Sequence, residues 1–388
     1  MSLVGQVKFG TTGIKISPII VGCMSYGSKL WAPWVLDDEE EVFEILKYCY
    51  DAGIRTFDTA DVYSNGVSER LLGKFLQKYK IKRETVVILS KINFPVDESL
   101  GLSMNDVYHH NEATALDLAN QRGLSRKHII SGAAQSVERL GTYIDVLQIH
   151  RFDPDTPIEE TMPTALDLAN QRGLSRKHII SGAAQSVERL GTYIDVLQIH
   201  RFDPDTPIEE TMRALNDVVE SGLTRYIGAS TMLATEFVEM QHVAETHGWF
   251  KFVSWQTQYN LLYREDEREV MPYSKKRGIA LIPWSPNRRG FLTRPLGQQT
   301  LRSKSAPIDR KLSEADKEII GRVEELARVK GVSMAAISTA WVLSKGCNPI
   351  VGMSSIERVK DALSALSVKL TEEDLQYLEE AYVPKCLE

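Results

Sequence analysis

The chain has 388 residues, 43% apolar and 25% charged, with a net charge of −6; this is a globular balance with material for a large core. The acidic balance argues against a nucleic-acid partner, because phosphate binding draws on clustered Lys and Arg. Cys23, Cys49, Cys347 and Cys386 show no C-x-x-C or other metal spacing, and no apolar run reaches signal or membrane length. The expectation is a cytoplasmic protein with reduced thiols.

In chain order, "VKFGTTGIKISPII" (7–20) reads as a β-hairpin around its "GTTG" turn. Short apolar runs of strand character follow: "IIVGCM", "RTFDTA", "VVILSKI", "IDVLQIH", "RYIGAS", "FVSWQTQ", "IALIPWS" and "NPIVGMS". Amphipathic stretches of helical period alternate with them, such as "DEEEVFEILKYCYDAG" (38–53), closed by Gly53, and "LATEFVEMQHVAETHG" (233–248). With "IDVLQIH" counted once, the alternation predicts a (β/α)8 barrel of the α/β class, with an N-terminal hairpin. No G-x-G-x-x-G follows the first strand, as an open dinucleotide-binding sheet would require.

One block occurs twice. Thr114–Met162 is repeated letter for letter as Thr164–Met212, an offset of 164 − 114 = 50 positions. Removing one copy leaves 388 − 50 = 338 residues. If the first copy supplied the fourth strand, the next helix would meet Pro163 in its interior, at about 3 kcal/mol or more. From the second copy, "TPIEETMRALNDVVESG" (206–222) runs unbroken into the next strand. The reading is therefore one barrel over 1–388, with 114–163 looped out as a duplicate of 164–213. The spare segment is expected to be disordered, to add its helix (125–141) to the outside, or to self-associate, its apolar strand being an unpaired edge.

In such a barrel chemistry sits at the C-terminal ends of the strands. There the sequence places Asp58 and Tyr63 in "FDTADVY", Lys91 ending "VVILSK", and His200 ending the fourth strand, with His150 as its duplicate alternative. A phenol, ordinarily titrating near 10, is too weak an acid at neutral pH. A neighbouring ammonium favours phenolate, and a carboxylate keeps that ammonium charged. A neutral imidazole could hold a carbonyl oxygen. With no nucleophile in the set, electrons must come from a cofactor. The alternative of a metal-dependent hydrolase rests only on "VYHHNE" (107–112), which reads as a polar loop.

These motifs, with "GLSRKHIISGAAQSVERLGTYIDVLQIHRFD", "WQTQYNLLYRE" and "IPWSPNRRGFL", resemble aldo-keto reductase signatures over nearly the whole chain. The resemblance, to the aryl-alcohol dehydrogenase and potassium-channel β-subunit branch, implies NAD(P)H-linked carbonyl reduction. Tyr63 would be the acid/base, supported by Lys91, Asp58 and the strand 4 histidine. Ser230 and Gln256 would hold the nicotinamide amide, Trp284 would stack on its ring, and Ser285 and Gly290 would lie against the pyrophosphate. Ser354, Ser355 and Arg358 would take the adenosine phosphate, at a helix N-terminus that attracts anions. Thr231 stands where many members have Asn, and Gly352-Met353 where many have Lys-Ser, so NADPH is expected with NADH as the alternative. Trp31 and Trp34 would line the site of a small-molecule carbonyl substrate, in a monomer or homo-oligomer. The alternative function is that of a nucleotide-binding regulatory subunit, resembling channel β subunits.

Overall fold

The computed structural model describes residues 3–108, 118–123, 126–150, 193–199, 201–204, 206–298, 300–301 and 312–387, with isolated positions between 176 and 187. His200, Pro163 and His109–His110 lie outside them. The chain divides into two compact units: Met1–Gly22, Glu40–Thr56 and Trp255–Glu388 form the first, Cys23–Glu39 and Phe57–Ser254 the second.

In the first unit β1 (Val7–Lys8) and β2 (Lys15–Ile16) form the expected antiparallel hairpin, Val7 opposite Ile16. Then come β3 (Ile20–Gly22) and α1 (Glu39–Asp51), whose Val42, Phe43, Ile45, Leu46 and Cys49 form the buried stripe that the helical period dictates. Strand β11 (Ile350–Gly352) runs parallel to β3, Ile350 beside Ile20. Beyond β11 lies β10 (Ala280–Leu281): Asn348 N–H donates to Leu281 C=O at 2.7 Å, and Ile282 N–H to Trp255 C=O at 3.0 Å.

The second unit carries the order β4 (Thr56–Asp58), β5 (Val87–Ile92), β6 (Val146–Ile149), β7 (Ile194–Ile199), β8 (Thr224–Ser230) and β9 (Phe252–Gln256). Strands β4 and β9 contribute residues to both units. Parallel strands alternating with helices make this a (β/α)8-barrel fold, but with nine parallel strands among the described residues.

The additional strand comes from the repeat. The first copy was expected to loop out, leaving its strand an unpaired edge. Instead β6 lies between β5 and β7, with Lys91 beside Gln148 and Gln148 beside Gln198. The reason is backbone satisfaction: an apolar strand left alone would bury unpaired N–H and C=O groups, whereas inside a ladder both edges are matched. Its helix docks too. Within α2 (Val67–Lys78), Gly73 lies so close to the Leu140 carbonyl of α4 (Arg126–Leu140) that a Cβ could not fit; α3 is the short helix Met104–Tyr108 between them in sequence. After the second copy, α5 (Ile208–Glu220) passes through Gly222, at φ 76°, directly into β8.

Doubling the strand leaves polar groups without partners. Register partners in a parallel sheet share a face, so Lys91, Gln148, Gln198 and Gly228 form one row. Gln148 and Gln198 are each 1% exposed, yet neither amide atom of Gln148 nor Nε2 of Gln198 finds a hydrogen bond. Below this row, Asp145 and Asp195 also lie side by side. Arg83 donates to Asp145 Oδ2 at 2.6 Å, and its guanidinium stacks on Tyr143, 3.6 Å from the ring centroid. Arg225 stacks likewise on Tyr193 at 4.0 Å.

Burial and the neighbouring Asp145 carboxylate push Asp195 up from 3.8 to about 6, against the opposing pull of Arg83 and Arg225. A carboxyl raised in the folded state costs stability above its folded pKa, a cost that disappears as pH falls from about 6 towards 4. Asp195→Asn should therefore raise stability at pH 7.5 by about 1 kcal/mol, the shift being discounted for the half-exposed site. Thermal unfolding should show this gain vanishing by pH 4.5; a gain independent of pH would contradict the assignment.

Candidate active site

Asp58 ends β4 and Lys91 lies near the end of β5, where the chain turns from buried strand to loop. The loop after β4 folds back through tight turns, Tyr63 N–H donating to Ala60 C=O at 3.2 Å, and is tied to β5 by Asp61 N–H to Lys91 C=O at 3.1 Å. This brings three of the expected side chains together. Lys91 Nζ donates to Asp58 Oδ1 at 2.7 Å, to the Thr59 carbonyl at 2.8 Å and to the Tyr63 hydroxyl at 3.5 Å. All three ammonium protons are thus directed. Asp58 is 3% exposed, Lys91 7% and Tyr63 8%.

Burial opposes the charge on each ion, raising the Asp58 carboxyl, with Lys91 pulling against that rise. For Lys91 burial acts downward, but Asp58 and Tyr63 together prevail and bring it to about 12. The ammonium is therefore charged throughout the neutral range, as the sequence argument required.

Among the described residues, the histidine set against Tyr63 is His150, the duplicate alternative from the first copy; His200 lies outside them. Its backbone N–H donates to Ile92 C=O at 2.8 Å, and the imidazole and Tyr63 ring centroids are 5.9 Å apart at 79°. The reason is the ladder: β6, not β7, flanks β5. Phe94 also meets the imidazole edge-on, 5.2 Å between centroids; the sequence reading missed it, although it stands three residues beyond Lys91 in "SKINF". Trp31 tilts onto Tyr63 at 6.4 Å and meets Trp34 edge-on at 5.9 Å. These rings share one apolar cluster with Val35, Val62, Leu102 and Val107. Ser230, 1% exposed, ends β8 in the same unit.

The remaining candidates lie in the first unit. Gln256 ends β9, 3% exposed. Trp284 follows β10 and makes parallel bridges to Gln258 and Ile350. The loop behind it carries a run of left-handed backbone: Ser285 at φ 58°, Arg288 at 41°, Arg289 at 56° and Gly290 at 97°. Such conformations are costly for non-glycine residues and concentrate at functional loops. Ser355 caps α10 (Ile356–Ala365), accepting from Arg358 N–H at 3.3 Å, and Arg358 donates to Ser354 Oγ at 2.6 Å. Between these helices in sequence lie α6 (Ala234–His247), α7 (Val270–Arg277), α8 (Glu314–Lys330) and α9 (Met334–Ser344).

Sequence reasoning also missed Arg294. Its guanidinium borders Gly290, and burial and the Arg358 charge both lower its pKa. Arg358 itself lies in the first turn of α10, where a helix N-terminus favours anions. The signal was the basic loop "NRRGFLTR".

The Aldo/keto reductase family model matches residues 18–176, which include the whole first copy of the repeat, and again 165–383, which begin one residue inside the second. A Saccharomyces cerevisiae protein, named provisionally as an aryl-alcohol dehydrogenase, is 53% identical over 99% of both chains. Versiconal hemiacetal acetate reductase of Aspergillus parasiticus is 45% identical over 98% of this chain and 97% of its own. Among solved structures, a thermostable aldo-keto reductase shares the fold with a TM-score of 0.58 at 23% identity, over 97% of this chain and 99% of that one.

Removing one partner of a buried ion pair strands the other charge, at about 3–5 kcal/mol. Asp58 Oδ2 already lacks a hydrogen bond, so Lys91→Met should destabilise by that amount. Lys91→Met combined with Asp58→Asn should recover most of the loss. Denaturant unfolding checks this; a double variant as unstable as the single would show that the charges are not coupled.

Proposed function

The chain belongs to the aldo/keto reductase family, and we propose that it reduces aldehydes or ketones to alcohols with NADPH, bulky aryl aldehydes being the preferred class. The observation that carries this reading is Lys91 Nζ, bonded at once to Asp58 at 2.7 Å and to the Tyr63 hydroxyl at 3.5 Å. A nicotinamide cofactor, when bound, supplies the hydride. The chain's own groups supply the proton and the electrostatics.

Tyr63 donates its hydroxyl proton to the carbonyl oxygen as charge develops there. The Lys91 ammonium stabilises the phenolate left behind, and Asp58 keeps that ammonium oriented. His150 holds the carbonyl oxygen in line with the phenol, and its ring is fixed by Phe94. Trp31 and Trp34 give an aryl substrate an apolar, water-excluding wall. The names of the fungal relatives support a substrate of this kind.

Ser230, Gln256, Trp284, Ser285 and Gly290 are proposed to hold the cofactor. Ser354, Ser355, Arg358 and Arg294 are proposed to take its adenosine phosphate. The paired guanidiniums fit a dianion better than a hydroxyl, which supports NADPH over NADH.

Tyr63→Phe removes the acid and keeps the ring, so kcat should fall by about 10²–10⁴-fold with NADPH binding unchanged. Arg294→Ala and Arg358→Ala should each raise KM for NADPH while leaving KM for NADH nearly constant. NADPH oxidation with an aromatic aldehyde reads all of these. Undiminished turnover in Tyr63→Phe would end the proposal.

A further inference from the structure

We propose that the two copies of "IDVLQI" are interchangeable, either one alone being able to bridge β5 and β8, so that the nine-stranded ladder exists alongside an eight-stranded one from which a copy has been released. The ladder itself displays both halves of the required pairing. β6 shows what one edge of this strand does against β5: Val146 lies beside Leu89, Leu147 beside Ser90, and Gln148 beside Lys91. β7 shows what the other edge does against β8: Val196 lies beside Tyr226, Leu197 beside Ile227, and Gln198 beside Gly228. Between the two, each residue pairs with its own duplicate, Val146 with Val196 and Gln148 with Gln198.

Superposing the copies therefore gives Leu89–Val–Tyr226, Ser90–Leu–Ile227 and Lys91–Gln–Gly228 with no shift of register. A one-residue slip would have turned every inward side chain outward; here there is none. Both edges serve one strand at once, because the two ladders use opposite sides of the backbone.

Two features of the nine-stranded ladder favour release. The Gln148 amide has neither of its atoms matched, while Gln198 keeps an oxygen 3.4 Å from Ser254 Oγ. A single copy leaves one such glutamine where there are now two. The second feature is charge. Asp145 and Asp195 stand together with Arg83 on the β5 side and Arg225 on the β8 side, both arginines acting on Asp195. A single aspartate would have both arginines and no carboxylate neighbour. Against release stands the loss of the β6–β7 pairing and a longer loop, whose entropic cost grows only with the logarithm of its length. Local opening of this kind draws on the least satisfied part of a fold.

Proline within a strand removes a ladder hydrogen bond and is excluded from central positions. The test uses Val146→Pro, Val196→Pro, the double variant and a chain lacking residues 114–163. If the copies are interchangeable, each single variant unfolds cooperatively within a few degrees of the parent, and the double variant does not fold. The 338-residue deletion should melt at or above the parent. Hydrogen exchange of the "IDVLQI" peptide, identical from both copies, should show a fast population in the parent that is absent from the deletion chain. Loss of cooperative folding in Val146→Pro or Val196→Pro alone, or in the deletion chain, overturns interchangeability. Full protection of the peptide in the parent overturns the coexistence.

Discussion

The arrangement of the second unit depends on a zero-slip register from β5 to β8, in which Lys91, Gln148, Gln198 and Gly228 form one row. Side chains alternate faces along a strand with period two, so an added strand is harmless only if it enters without displacement. A strand paired with its own duplicate in parallel satisfies this automatically, because each residue faces an identical one. The apolar residues then meet apolar residues, and the site-bearing end of β5 is undisturbed. The same identity brings like polar groups together: amide beside amide, carboxylate beside carboxylate.

Against that background the Lys91–Asp58 pair stands out as a buried charge that is fully committed. Its three ammonium protons go to a carboxylate, a carbonyl and a phenol. Desolvation weakens each ion and strengthens their attraction, and here attraction keeps Lys91 charged. Gln148, beside Lys91 in the row, receives none of those protons, which is one reason its amide stays unmatched.

Strand and helix alternation was legible because the apolar runs are short and continuous and the helices carry clear stripes, as in Glu39–Asp51. Asp58, Tyr63 and Lys91 were legible because strand ends in this fold class converge, and the structure brings them together. The fate of the repeat was not. Helix continuity is readable from the unbroken period of Ile208–Glu220, but a closed eight-stranded pattern offers one place for two identical strands, and the ladder holds both. Nothing in the periodicity of "IDVLQIH" tells whether its neighbour is another strand or its own copy, so the sequence alone leaves His200 and His150 as alternatives, of which the described His150 meets Tyr63. Phe94 and Arg294 were missed because each acts through a neighbour distant in sequence: Phe94 on an imidazole, Arg294 on the Arg358 charge.

The Arg294–Arg358 juxtaposition has a consequence for handling the protein. Arg358 stands in the first turn of a capped helix and its charge opposes that of Arg294, so a multivalent anion bound near both would offset that repulsion. Were sulfate or phosphate to bind where the adenosine phosphate is proposed to sit, the buffer salt would join temperature and pH among the variables that set the melting point.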